Sequence, residues 1–92
     1  MILHFACELT EELFRTGKTR PFQAIAKVAL RKLDQIHIAG ELSDLAVPPG
    51  NRLETLSGDR KGQYSIRIND QWRVCFLWQD GHATQVAIVD YH

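Results

Sequence analysis

Between Phe22 and Ile36 apolar residues recur at intervals of three and four; from Arg52 onward the interval is two. Phe22, Ile25, Ala26, Ala29, Leu30, Leu33 and Ile36 form one stripe, the mark of a helix with a single buried face. This helix is expected to begin near Pro21, because the first helical position needs no N–H donor, and to stop near Gly40. Lys27, Arg31, Lys32 and Asp34 occupy its remaining positions and read as a solvated face. A shorter helix is expected over residues 8–15, with Leu9, Leu13 and Phe14 on its apolar side and Gly17 ending it. Residues 2–5 could form a first strand and residues 41–45 a helical turn, before Pro48-Pro49-Gly50-Asn51 breaks any regular element.

The period of two predicts strands over residues 52–56, 63–68, 72–79 and 82–91. Asp80-Gly81 is a strong two-residue hairpin signal. Two helices followed by an antiparallel meander make an α+β domain, with the helices on one face of the sheet. The turn after Ile68 should set Arg67 opposite Arg73 and Ile66 opposite Val74. The Asp80-Gly81 turn should set Arg73 opposite Ile88 and Trp72 opposite Val89. On this count Tyr64, Ile66, Ile68, Trp72, Val74, Phe76, Trp78 and Val89 face the helices. Ser65, Arg67, Arg73, Cys75, Leu77, Val86, Ile88, Asp90 and His92 share the other face. A slip of one residue would invert every assignment. Like charges opposed across a sheet repel unless an anion sits between them, so Arg67 and Arg73 suggest either a phosphate site or a bridging carboxylate such as Asp90.

A chain of 92 residues fits a single domain with one modest core, and its balance of apolar and charged residues is that of a soluble globular protein. No apolar run approaches a membrane span, and the start lacks the basic n-region of a signal peptide. Cys7 and Cys75 lack metal-ligand spacing and are too few for a disulfide scaffold, so the expectation is a cytoplasmic protein with reduced thiols and no metal or other cofactor. Eleven basic residues balance eleven acidic ones, which excludes a general polyanion binder. Between positions 52 and 73, however, Arg52, Arg60, Lys61, Arg67 and Arg73 outnumber Glu54, Asp59 and Asp70. That small excess suits a pocket for one or two phosphates better than a long nucleic-acid track. The sequence closes on Asp90-Tyr91-His92, an acid, a phenol and a base side by side, and an imidazole can give or take a proton at cellular pH.

The run PPGNRLETLSGDRKGQYSIRINDQWRVCF from Pro48 to Phe76, together with the closing IVDYH, resembles the HigB branch of the RelE/ParE toxin superfamily. The resemblance covers essentially the whole chain. It implies a RelE-like α+β fold, with two N-terminal helices on one face of a curved antiparallel sheet. It also implies a ribosome-dependent mRNA endonuclease from a type II toxin–antitoxin system. The implied partners are a HigA-type helix-turn-helix antitoxin and the ribosome with mRNA in its A site; operator DNA would be reached only through the antitoxin. The family's terminal acid, phenol and base fall on Asp90, Tyr91 and His92, and its phosphate-facing arginine on Arg73. Glu54 and Ser57 depart from members that carry histidine and lysine there. Either Glu54 serves as a general base, or this copy is a weaker nuclease.

Metal-free RNA cleavage needs a base for the 2′-hydroxyl, a cation for the phosphorane and an acid for the leaving 5′-oxygen. On this chemistry His92 and Asp90 are expected to share the proton work, Arg73 to stabilise the phosphorane with help from Arg67 or Arg60, and Tyr91 to stack on or orient a nucleotide. Arg60 and Lys61 are candidate phosphate contacts or an ordinary solvated turn. Asp90 could equally form a plain salt bridge to Arg67 or Arg73. Trp72 and Trp78 share the parity of Val74 and Phe76 and are expected in the core. Two other functions fit the same fold: a toxin that acts by binding, as in gyrase inhibition, or a weakly active regulatory copy.

Overall fold

The computed structural model describes residues 1–90. Helix α1 (Glu8–Thr16) ends where Gly17 takes a left-handed conformation at φ 79° and returns its N–H to the Leu13 carbonyl. Glycine alone adopts that conformation without a Cβ penalty. Helix α2 (Ala26–Ile38) carries Ala29, Leu33 and Ile36 into the core. The expected start near Pro21 is instead a separate 3-10 segment, Arg20–Ile25, because Ile25 at φ −115° and ψ 3° breaks the α-helical path. Residues 42–46 and 49–51 form two further 3-10 turns.

Strands β1 (Glu54–Thr55), β2 (Tyr64–Arg67), β3 (Trp72–Gln79) and β4 (His82–Asp90) form an antiparallel sheet in sequence order. β1 is shorter than the expected residues 52–56: Arg52, at φ 46°, closes the preceding turn and cannot extend the strand. Residues 2–5 pair with β4 only through isolated parallel bridges, Ile2 with Ala83 and Phe5 with Val86. Both helices pack against β4, and α2 also meets β3. The core between the layers holds Leu13, Phe22, Leu33, Ile36, Ile66, Val74, Phe76, Val86 and Ile88. Trp72 and Trp78 pack against it, with Trp72 edge-on to Phe22 at 5.6 Å between ring centroids.

The β2–β3 register is the expected one, with Arg67 opposite Arg73 and Ile66 opposite Val74. Asp80 and Gly81 both have positive φ, as a tight hairpin turn requires, and set Leu77 opposite Thr84. The ladder then shifts. Between Cys75 and Leu77 on β3, β4 carries an additional residue, and Gln85 stands at φ 53°. Beyond this bulge Val74 faces Ile88, Arg73 faces Val89 and Trp72 faces Asp90. The expected pairs Arg73–Ile88 and Trp72–Val89 are therefore wrong by one residue. Val86 and Ile88 belong to the core, and Asp90 lies opposite Trp72 rather than on the face of Arg67 and Arg73.

Candidate active site

Arg73 sits mid-sheet on β3 and is only 7% exposed. Its Nε donates to Ser65 Oγ at 2.8 Å, while Nη2 donates to the Arg52 carbonyl at 2.5 Å and to the Ser65 carbonyl at 3.3 Å. Glu54 lies opposite Ser65 across the β1–β2 ladder, which brings its carboxylate to 3.9 Å from Arg73 Nη2. That is longer than a close charge-assisted bond. Two backbone carbonyls and one hydroxyl thus hold the guanidinium, and a half-exposed carboxylate stands beside it.

Arg67 opposes Arg73 on β2, and its Nη2 pairs with the exposed Asp70 carboxylate. Arg52, Glu54, Arg67, Asn69, Asp70 and Arg73 together line a cleft of about 300 Å³. Three guanidiniums against two carboxylates leave the cleft with one excess positive charge. A larger cavity, about 510 Å³, lies on the helical layer among Glu12, Lys18, Thr19, Arg20 and Gln23, away from this cluster.

Of the expected site residues, Glu54, Arg67 and Arg73 share this cleft. Arg60 does not line it; it donates to Gln63 Oε1 and influences the Cys75 thiol on the Arg73 side of the sheet. Burial pushes the Cys75 thiol up from its ordinary value, against the opposing pull of Arg60 and Arg73. Lys61 is exposed at the end of the Gly58–Arg60 turn. Asp90, at the end of β4, accepts from Gln71 Nε2 at 3.0 Å. Tyr91 and His92 lie outside the described residues.

Ser65, Asn51 and Lys32 escape the sequence reading as site residues, and Arg52 enters it only as part of the basic excess. Ser65 was placed on the correct face, but nothing marked it as the holder of Arg73. Arg52 contributes both a side chain to the cleft and its carbonyl to Arg73. Asn51 was visible only as a loop residue, yet it is fully buried. Lys32, read as part of a solvated face, donates from Nζ to Asn51 Oδ1 at 2.5 Å. Partial burial lowers the Lys32 ammonium from its ordinary pKa, and repulsion from Arg31 and Arg67 adds to the effect.

Two helices on one face of a four-stranded antiparallel sheet, with a basic cleft on the other, place the chain in the class of small RelE-like toxin folds. A solved structure of the same architecture is the YoeB toxin in the YoeB–YefM complex from Staphylococcus aureus. It superposes with a TM-score of 0.59 at 23% identity, over 100% of this chain and 95% of that one. The chain belongs to the HigB-like toxin family: the family model described as "RelE-like toxin of type II toxin-antitoxin system HigB" matches residues 3–92. Among curated relatives, "Toxin HigB-1" of Vibrio cholerae is 40% identical over 85 residues, covering 90% of each chain. "Endoribonuclease HigB" of Proteus vulgaris is 34% identical over 98 residues, covering 100% of each. As a toxin of a type II system, the protein has an antitoxin partner.

Proposed function

We propose that this toxin is an endoribonuclease that cuts mRNA in the A site of translating ribosomes, without a metal. The observation that carries this reading is the fixed Arg73 guanidinium in a cleft with Glu54, a pairing of phosphate ligand and proton acceptor. The full-length match to a relative named as an endoribonuclease supports it. Glu54 takes the proton of a 2′-hydroxyl, and that oxygen attacks the adjacent phosphorus. Arg73, with Arg67 beside it, stabilises the charge that builds on the phosphorane oxygens. The P–O5′ bond breaks and His92 protonates the leaving oxygen, giving a 2′,3′-cyclic phosphate and a 5′-hydroxyl. Tyr91 stacks on or orients a nucleotide, and Asp90, which accepts from Gln71, shares the proton work with His92. Arg60 and Lys61 contact phosphates further along the RNA.

The toxin works in the cytoplasm, where a HigA-type helix-turn-helix antitoxin restrains it and carries the pair to operator DNA. Purified toxin added to translating ribosomes tests the reading, with cut sites mapped by primer extension. Cuts should fall inside translated codons and carry cyclic phosphate ends. General acid–base groups contribute about 100- to 10,000-fold each, so Glu54→Gln and His92→Ala should each lose at least the lower figure. Undiminished cleavage by both variants would remove the assignment.

A further inference from the structure

The buried amide of Asn51 makes more contacts than packing alone requires. Its Nδ2 donates to Gln35 Oε1 at 2.9 Å, to the Leu45 carbonyl at 3.1 Å and to the Val47 carbonyl at 3.5 Å. Its Oδ1 accepts from Lys32 Nζ at 2.5 Å. One side chain thus fastens the 49–51 turn to two residues of α2 and to the segment leading out of the 42–46 turn.

The next residue is the one that matters for the site. Arg52 is left-handed, at φ 46° and ψ 57°, a conformation that residues other than glycine, asparagine and aspartate rarely hold. Its N–H closes onto the Pro49 carbonyl at 3.1 Å, and its own carbonyl accepts Arg73 Nη2. Ser65 holds the Nε edge of the same guanidinium from β2. The Arg52 carbonyl is thus one of the acceptors that orient Arg73, beside the hydroxyl and carbonyl of Ser65, and it depends on a strained turn that persists only while its surroundings over-determine it. Asn51 supplies those restraints.

We propose that Asn51 is a positioning residue for Arg73, acting through the Arg52 carbonyl. The proposal rests on the reading of Arg73 as the phosphorane-stabilising group. Misplacing such a group by about 1 Å costs on the order of 100-fold in rate, so the effect should appear in kcat and not in KM. Single-turnover cleavage of ribosome-bound mRNA by the parent, Asn51→Ala, Arg73→Lys and the double variant provides the test. Asn51→Ala should cut about 10- to 100-fold more slowly. In the Arg73→Lys background the same change should cost almost nothing further. Losses that multiply in the double variant overturn the proposal.

If Asn51→Ala does not fold, Lys32→Met removes one of the amide's contacts and enters the same cycle. Independence from Arg73→Lys again overturns the idea. A 15N spectrum of arginine Nε–H groups gives a readout that needs no catalysis. The Arg73 signal should be slow to exchange in the parent and lose protection in Asn51→Ala; unchanged protection refutes the proposal. A parent that cuts no RNA, with the loss of protection still seen in Asn51→Ala, would overturn the proposed function while leaving the positioning role intact.

Discussion

The hydroxyl of Thr10 accepts the backbone N–H of Ile88 at 3.0 Å, both groups buried between α1 and β4. Ile88 lies past the bulge, so this bond fixes the late part of β4 against the helical layer, two residues before Asp90. Thr10→Val keeps the shape and leaves the Ile88 N–H without its acceptor. A buried orphan donor costs about 1–3 kcal/mol, and urea unfolding should show that loss. Thr10→Ser keeps the acceptor and should recover most of it; a Thr10→Val midpoint equal to the parent's would refute the role.

The bulge at Gln85 governs which β4 residues enter the core. Deleting Gln85 would restore an uninterrupted ladder and turn either Val86 and Ile88 or the turn-proximal Ala83 to the wrong face. Exposing two aliphatic side chains costs about 3–6 kcal/mol, much of the stability of a small domain. The deletion should abolish cooperative thermal unfolding. Gln85→Gly should stay within about 1 kcal/mol of the parent, since relief of the positive φ offsets the added chain entropy.

The pattern of periods carried the α+β class, both helices and the β2–β3 register, because each follows from residues close in sequence. The Arg67–Arg73 pairing needed only a short turn to fix it. The bulge was invisible: Gln85 has no residue type that demands positive φ, and Val86 and Ile88 are apolar on either face count. That single residue moved Asp90 away from the arginines. Asn51 stayed hidden for a different reason. A Pro-Pro-Gly-Asn run announces a turn, but the partners that bury its last amide come from a helix and a loop whose approach no local pattern encodes.

The two thiols should titrate on opposite sides of an ordinary cysteine. Burial raises the Cys7 pKa, but hydrogen bonds from the Thr10 side chain and from backbone near Leu9 and Thr10 outweigh it, and the net shift is downward. Cys75 is raised by burial. Only the thiolate reacts with iodoacetamide, so at neutral pH Cys7 holds the larger reactive fraction. Mass spectrometry of briefly alkylated toxin should find Cys7 modified first, with its rate rising at lower pH than that of a free thiol. Preferential labelling of Cys75 in the folded protein would contradict both environments.

Arg67 and Arg73 are held in the cleft by partners of unequal weight. Arg67 pairs with Asp70, whose side chain is 96% exposed, and such surface pairs contribute only about 0–1 kcal/mol. Arg73 leans on Ser65 Oγ inside the protein, and a buried hydrogen bond to a charged group is worth about 1.5–3 kcal/mol. Ser65→Ala should therefore lower stability in urea by that amount and slow RNA cleavage at least about 10-fold, because the guanidinium loses the acceptor for Nε. Asp70→Asn should leave stability nearly unchanged, and by releasing Arg67 for the substrate phosphate it should hold or raise the cleavage rate. The comparison is decisive in one direction: if Asp70→Asn proves the more damaging to cleavage, the working cation of the cleft is Arg67 and not Arg73.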